Sequence, residues 1–390
     1  MPHARFKLRW LLLPLLLGTS IMAYSSIFEA PPELNDKRMT SSRYANGQFH
    51  NLDLQRGLDF RDGLKSMWRY LTGKSPDAVP GEALAVLSLS PADLQQAPDQ
   101  SLWRLGHSTV LLKLGGKFWL TDPVFAERAS PFSFAGPKRF HVAPITREDL
   151  PPIEAVILSH DHYDHLDRES ILAIADKVGR FVTPLGVGER LISWGIPAAK
   201  VQQLDWWEET QVGALRLIAT PAQHFSGRSL SDRNRTLWAS WVLITPQSRL
   251  FFSGDSGYFA GFREIGERFG PFDLTLIENG AYNEAWADVH MQPEQSIQAH
   301  IDLQGRRLVP IHNGTFDLAL HAWTEPLERI TALAAQYDIA LSTPRFGERL
   351  GIHAGNTTQA WWRAAPDGKS APDQQISRRP EAALITAPGV

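Results

Sequence analysis

The chain has 390 residues, of which 43% are hydrophobic, 21% charged and 10% aromatic, a composition that excludes the disordered and low-complexity classes. A formal charge of -3 excludes a global basic field, so nucleic acid is not an expected partner. Zero cysteines exclude disulfides, thiolate metal sites and thiol nucleophiles, so any metal must be held by His, Asp or Glu.

At the start of the chain, Arg5, Lys7 and Arg9 precede an uncharged stretch from Trp10 to Phe28, the pattern of a basic n-region and an apolar h-region. Residues 1–28 therefore read as a signal peptide or a retained signal anchor, since the stretch is just long enough to cross a bilayer. The expected location is outside the cytosol or at a membrane, the periplasm or inner membrane in a bacterium. Residues 29–50 are polar and contain proline, and read as a linker. From Leu54 to Leu71, apolar Leu54, Leu58, Leu64, Met67, Trp68 and Leu71 recur near helical spacing with Arg56, Arg61, Lys65 and Arg69 among them. Such a basic amphipathic helix either docks on its own domain, the commoner case, or lies on a membrane surface. Residues 29–101 thus form an N-terminal extension, 102–353 the main domain and 354–390 a mobile tail in which only Trp361 and Trp362 are expected to dock.

Within the main domain, Val110–Leu114 and Lys117–Leu120 flank Gly115-Gly116, a hairpin signal. Ile153–Leu158, Leu215–Ala219, Trp238–Ile244, Leu250–Phe252, Leu274–Ile277 and Leu308–Ile311 also read as strands. Glu169–Val178, Pro293–Ile301 and Pro326–Tyr337 read as helices, and no repeat of fixed period is present. Strands interleaved with helices over this length indicate an α/β architecture.

The run Ile153–Leu158 ends in Ser159-His160-Asp161-His162-Tyr163-Asp164-His165, which packs three of the 13 histidines into six residues. Imidazoles and a carboxylate at that density converge on metal if the loop curls, and N/O donors suit zinc and its neighbours. A lone histidine is more often a satisfied core or surface group, but that reading leaves a cluster of this density unexplained. Three further candidates lie just beyond other predicted strands: His224 after Leu215–Ala219, Asp255 after Leu250–Phe252, and His312 after Leu308–Ile311. Strand ends at one sheet edge are rigid places from which distant residues can meet.

These residues carry a family resemblance. His160, His162, Asp164 and His165 satisfy the H-x-H-x-D-H signature, and the chain resembles the metallo-β-lactamase superfamily. Within it, the chain looks like the N-acyl-phosphatidylethanolamine phospholipase D branch over roughly Leu102 to Leu350. That closer likeness rests on Leu105-Gly106-His107-Ser108-Thr109, Leu120-Thr121-Asp122-Pro123, Gly136-Pro137-Lys138-Arg139-Phe140 and Leu204-Asp205-Trp206-Trp207-Glu208, among other segments. The resemblance implies a four-layer αββα sandwich with two zinc ions at one edge. It places one ion on His160, His162 and His224, the other on Asp164, His165 and His312, and makes Asp255 the bridge. Asp164 and Asp255 would also orient the attacking hydroxide shared by the metals. Asp122 reads equally as a turn cap before Pro123 and as a partner that orients a ligand imidazole. His107 lies near the site by the same likeness, or serves only in packing.

Three segments depart from the phospholipase pattern: Asn313 follows His312 where the branch has Trp, Val289-His290 replaces Gln-His at a substrate-facing position, and Glu278-Asn279 replaces apolar residues before Gly280. None is expected to touch a predicted ligand, so the chemistry is expected to be kept while the substrate is open. The resemblance implies a hydrolase that cleaves phospholipids to phosphatidic acid and N-acylethanolamine and works as a homodimer, while the N-terminal signal and the basic helix at Leu54–Leu71 are expected to bring it to a membrane surface. A same-fold hydrolase of a soluble phosphodiester, phosphorylated lactone or ester is the alternative. A non-catalytic scaffold fits poorly, since such proteins lose ligands and this chain keeps all seven.

Overall fold

The computed structural model describes residues 40–53, 68, 72–229, 231–353 and 360–363. The predicted signal, nearly all of the amphipathic segment and most of the C-terminal tail lie outside those residues. Among the described residues no helix is long and apolar enough to cross a membrane.

A short hairpin, β1 (Tyr44–Ala45) and β2 (Gln48–Phe49), opens the described chain. Helix α1 (Pro91–Gln96), closed by a Ser90–Asp93 capping box, leads into β3 (Ser101–Gly106), β4 (Thr109–Leu114), β5 (Lys117–Thr121) and β6 (Ile153–Ile157). Then come α2 (Arg168–Ile174), β7 (Val178–Pro184), α3 (Val187–Ser193), β8 (Val201–Leu204), β9 (Glu209–Val212), β10 (Leu215–Thr220), β11 (Ser240–Ile244) and β12 (Arg249–Phe252). The order finishes with α4 (Gly261–Phe269), β13 (Leu274–Glu278), α5 (Pro293–Asp302), β14 (Leu308–Ile311), α6 (Glu325–Gln336) and β15 (Arg349–Gly351).

The strands build two sheets, ordered β15-β3-β4-β5-β6-β7-β8 and β14-β13-β12-β11-β10-β9. Both faces of the central strands are dry, which is why these strands read as near-continuous apolar runs rather than strict alternation. The two-residue period of a strand sorts their side chains: Val110, Leu112, Ala155, Ile157, Leu217, Leu243 and Phe252 fill the space between the sheets. Their neighbours Leu111, Val156, Ile218, Val242 and Phe251 point outward. Leu111 and Val156 join Ile171 and Leu191 of the first helical layer, while Val242 and Phe251 join Phe262, Ile297 and Ile330 of the second. The result is the expected αββα sandwich. Each fully buried Leu, Ile, Val or Phe contributes about 1.5–3 kcal/mol of transfer free energy, so this double-sided burial dominates the fold's stability.

The Gly115-Gly116 hairpin forms as expected, with both glycines at positive φ (61° and 72°) and Leu114 paired with Lys117. Trp361 and Trp362 dock, packing with Leu327 and Phe346. Two readings need correction. Residues 44–49 form a hairpin rather than a linker, because Asn46-Gly47 takes up the positive-φ turn (53° and 82°) and Phe49 is driven into the inter-sheet core. The helix expected to reach Val178 ends in a 3-10 turn at Lys177, and Val178 already pairs with Ile153 as the first residue of β7.

Candidate metal centre

Parallel pairing decides where the candidate ligands meet. β5, β6 and β7 are parallel neighbours, as are β12, β13 and β14, so the loops leaving them emerge at matching edges of the two sheets. The sheets are tied together there: Ala239 N–H donates to the Ser159 carbonyl at 2.9 Å, and the Trp241 indole donates to the Leu158 carbonyl at 2.9 Å. Gly254, at φ 55°, lies so close to Ser159 that a Cβ would come within 2.4 Å of its side chain. His107, Asp122 and His312 also have positive φ, at 52°, 33° and 62°. Three non-glycine residues held in this sparsely populated region at one sheet edge mark a site whose geometry is imposed by its surroundings.

All seven expected ligands come together in two clusters. His160 Nε2 lies 2.8 Å from His162 Nδ1, which is 3.2 Å from His224 Nε2. Asp164, His165 and His312 gather in the second cluster with His107, whose Nε2 is 3.1 Å from Asp164 Oδ2. Asp255 stands between them: its Oδ2 is 3.0 Å from His312 Nε2 and 3.9 Å from His160 Nε2, and its Oδ1 is 3.1 Å from His165 Nε2.

The residues fit a metal pair on two grounds. Donor nitrogens at about 2.0–2.1 Å from a tetrahedral ion lie about 3.4 Å apart, close to the spacings of the first cluster. In the second, His165 Nε2 and His312 Nε2 stand 3.1 and 3.0 Å from the Asp255 carboxylate, yet these buried nitrogens and Asp255 Oδ1 do not meet in hydrogen-bond geometry. Buried polar atoms are almost always hydrogen-bonded, so donors gathered this closely without that geometry suit a shared cation.

The electrostatics agree. Burial, reinforced by neighbouring imidazoles, holds His160 and His224 well below the ordinary histidine pKa, so both are neutral and able to coordinate. Burial lowers His162 too. In the second cluster burial also pushes downward, but the Asp255 and Asp164 carboxylates outweigh it, raising His165 well above its usual value and His312 to about 9. Burial opposes ionisation of Asp164 and Asp255 as well, yet the adjacent His165 charge keeps both well below the usual carboxylate range.

Asp122 serves the site and is not merely a turn cap. Its Oδ2 accepts from His165 Nδ1 at 2.7 Å and from Ser159 Oγ at 2.6 Å, and its Oδ1 accepts from the Ser159 N–H at 2.7 Å. The carboxylate thereby turns His165 Nε2 toward Asp255. His224 is held similarly, with Nδ1 2.9 Å from the Val289 carbonyl and its backbone bracketed by Asn51.

The departing segments do touch the predicted ligands, contrary to expectation. Val289 bonds His224, Glu278 Oε2 is 2.8 Å from His290 Nδ1, and that nitrogen is 4.0 Å from Asp255 Oδ2. Asp255, Glu278, His290 and His312 form a cluster of their own. Sequence reasoning misses Glu278 as a site residue although it ends β13, the same strand-end signal that marks Asp255 and His312. Asn313 also contributes, accepting from the buried Arg104 guanidinium at 3.0 Å.

An αββα sandwich carrying such a centre at its sheet edge defines a metal-dependent hydrolase. The chain belongs to the metallo-β-lactamase superfamily: the beta-lactamase superfamily domain matches residues 119–313. An uncharacterized protein of Mycobacterium tuberculosis is 47% identical over 262 residues, 66% of this chain and 70% of that one. The N-acyl-phosphatidylethanolamine-hydrolyzing phospholipase D 1 of Caenorhabditis elegans is 38% identical over 243 residues, 59% of this chain and 68% of that one. Among solved structures, a possible metal-dependent hydrolase from Veillonella parvula matches with a TM-score of 0.53 at 17% identity, over 65% of this chain and 100% of that chain.

Proposed function

We propose that the protein is a two-zinc phosphodiesterase of phospholipase D type, which cleaves N-acyl-phosphatidylethanolamine-like lipids to phosphatidic acid and N-acylethanolamine. The observation that carries the reading is the pair of donor clusters sharing Asp255, a geometry suited to in-line displacement at phosphorus. The similarity to the nematode phospholipase supports the lipid substrate.

Bound zinc lowers the pKa of water toward about 7 and offsets charge on phosphoryl oxygens. The chain's residues do the rest. Asp255 orients both clusters at once, and Asp164 accepts from His107 and stays ionised beside it. Asp122 fixes the tautomer of His165 by taking its Nδ1 proton in a hydrogen bond. His290, braced by Glu278, overlooks His224 and His312 with ring centroids 5.1 and 5.4 Å away, and contacts substrate from there. The N-terminal residues 1–28 deliver the protein to a membrane or across one.

A second reading, hydrolysis of a soluble phosphodiester, phosphorylated lactone or ester, is favoured by the altered Glu278, Val289-His290 and Asn313 positions beside the ligands. The test is hydrolysis by zinc-loaded full-length protein of N-acyl-phosphatidylethanolamine in mixed micelles and of bis(p-nitrophenyl) phosphate, each with and without chelator. Chelator-sensitive release of N-acylethanolamine, faster than turnover of the soluble diester, is the expected result. Turnover of the soluble diester alone would discard the lipid substrate and keep the metal chemistry.

A further inference from the structure

A buried charge network lies behind the first donor cluster and takes no part in the chemistry above. Arg190 of α3 places Nη2 3.0 Å from Asp161 Oδ2 and 3.1 Å from Asp232 Oδ2, with all three side chains at most 1% exposed. Asp161 is the residue between His160 and His162. Its second oxygen accepts from the Gly227 N–H at 2.9 Å, while Asp232 Oδ1 accepts from the N–H groups of Arg228 and Ser229 at 3.0 and 2.7 Å. Arg228 reaches back to the ligand loop. Its Nη1 donates to the carbonyls of Asp161 and Leu166 at 2.9 and 2.7 Å, and its guanidinium covers the Tyr163 ring at 3.8 Å. The Tyr163 hydroxyl closes the circuit by donating to the Arg228 carbonyl at 3.1 Å.

Two arginines and two aspartates thus clasp residues 160–166 to Gly227, Arg228, Ser229 and Asp232 of the segment that follows His224. Phe225, at the start of that segment, packs its ring 4.5 Å from His162 and 4.7 Å from His224. The clasp touches the backbone carrying all three donors of the first cluster and, through Tyr163 and Leu166, the loop that carries Asp164 and His165 of the second. His312, just beyond β14 of the other sheet, takes its ion pairs from Asp164 and Asp255 instead. A buried ion network of this kind contributes little net stability against an apolar replacement, and here it ties two chain segments to one another. That makes it a device for placing ligands.

We infer that Arg190, acting through Asp161 and Asp232, is a positioning residue for the His160–His162–His224 metal position, which it affects more than the position that also draws on His312. The inference rests on the two-metal reading, which wild-type stoichiometry tests separately. Metal-free full-length wild type, Arg190→Gln, Arg190→Lys and Tyr163→Phe are titrated with Co²⁺, read by its visible absorption and by calorimetry. His224→Ala and His312→Ala serve as references for loss of each position. Tyr163→Phe removes one strut without burying a lone charge, so it reports even if Arg190→Gln fails to fold. Expected results are at least tenfold weaker binding at the His224-dependent step in Arg190→Gln, partial recovery in Arg190→Lys, and about threefold weakening in Tyr163→Phe. Binding at the His312-dependent step should weaken less than at the His224-dependent step in both Arg190 variants. Equal weakening at both steps, or unchanged affinity in Tyr163→Phe together with Arg190→Lys, would overturn the inference. A wild type that takes up a single ion would reject the two-metal reading, and the effect of the variants on that ion would still decide the role of Arg190.

Discussion

The carboxylate of Asp122 spends its acceptor capacity on Ser159 and His165, and it is fully buried. Burial raises its pKa, and the bonds from His165 and Ser159 oppose that rise. An amide in its place keeps the shape but turns a donor toward Nδ1 of the ligand. Asp122→Asn should therefore weaken metal binding or turnover by about 10–100-fold, as loss of a ligand's orienting partner typically does, and competition against a chromogenic chelator measures it. Asp255 is different in kind, because it serves both clusters. Asp255→Ala should abolish phosphodiester turnover with an unchanged far-UV circular dichroism spectrum, and retained turnover would sink the two-metal scheme. At this scale the candidate ligands are legible because they sit in one dense motif and at the ends of three apolar runs. The role of Asp122 is legible only as one of two equal readings, since the choice depends on Thr121 pairing with Ile157 across parallel strands, which local sequence does not encode. Glu278 is legible by the strand-end rule, but as a departure from a family pattern it shows nothing of its place beside the ligands.

Among the elements, the buried central strands are readable from apolar runs, whereas β8 and β9 are not. Val201–Leu204 and Glu209–Val212 are short, at least half polar and at sheet edges, where one face needs no apolar residue. The β1–β2 hairpin shows the same limit from another side. Its Asn46-Gly47 turn is a strong signal, but the strands are two residues each and carry no periodicity to extend it. What gives the hairpin its value is the residue beyond it. Asn51 donates to the His224 carbonyl at 2.7 Å and accepts from the His224 N–H at 3.1 Å and the Trp238 indole at 2.9 Å. Asn51→Ala leaves buried donors on a ligand segment without that partner, a loss of about 1–3 kcal/mol. Urea denaturation of the zinc-loaded protein should show that decrease, with a weaker first metal position. A midpoint unchanged from wild type would reduce the hairpin to surface decoration.

Across the whole molecule, the sandwich gathers at one edge a set of groups that repel or strand one another unless a cation is present. His165 and His312 meet this by holding protons, drawn by Asp164 and Asp255 against the cost of burial. Folded metal-free protein therefore keeps His312 protonated up to about 9, whereas an unfolded histidine releases its proton near 6.5. A raised folded-state pKa contributes stability that is fully present below 6.5 and is lost as pH climbs through about 9. The linked free energy for His312 is on the order of 3 kcal/mol. Zinc requires the neutral imidazole, so it replaces those protons instead of adding to them. The metal-free protein should lose thermal stability between pH 6.5 and 9, while the zinc-loaded protein should change much less. The increase in Tm produced by zinc should accordingly grow across the same interval, and loading within it in weak buffer should release protons. Differential scanning calorimetry of both forms over that range decides the matter. A zinc-induced shift that shrinks as pH rises would mean that the second cluster does not hold its protons where a metal binds.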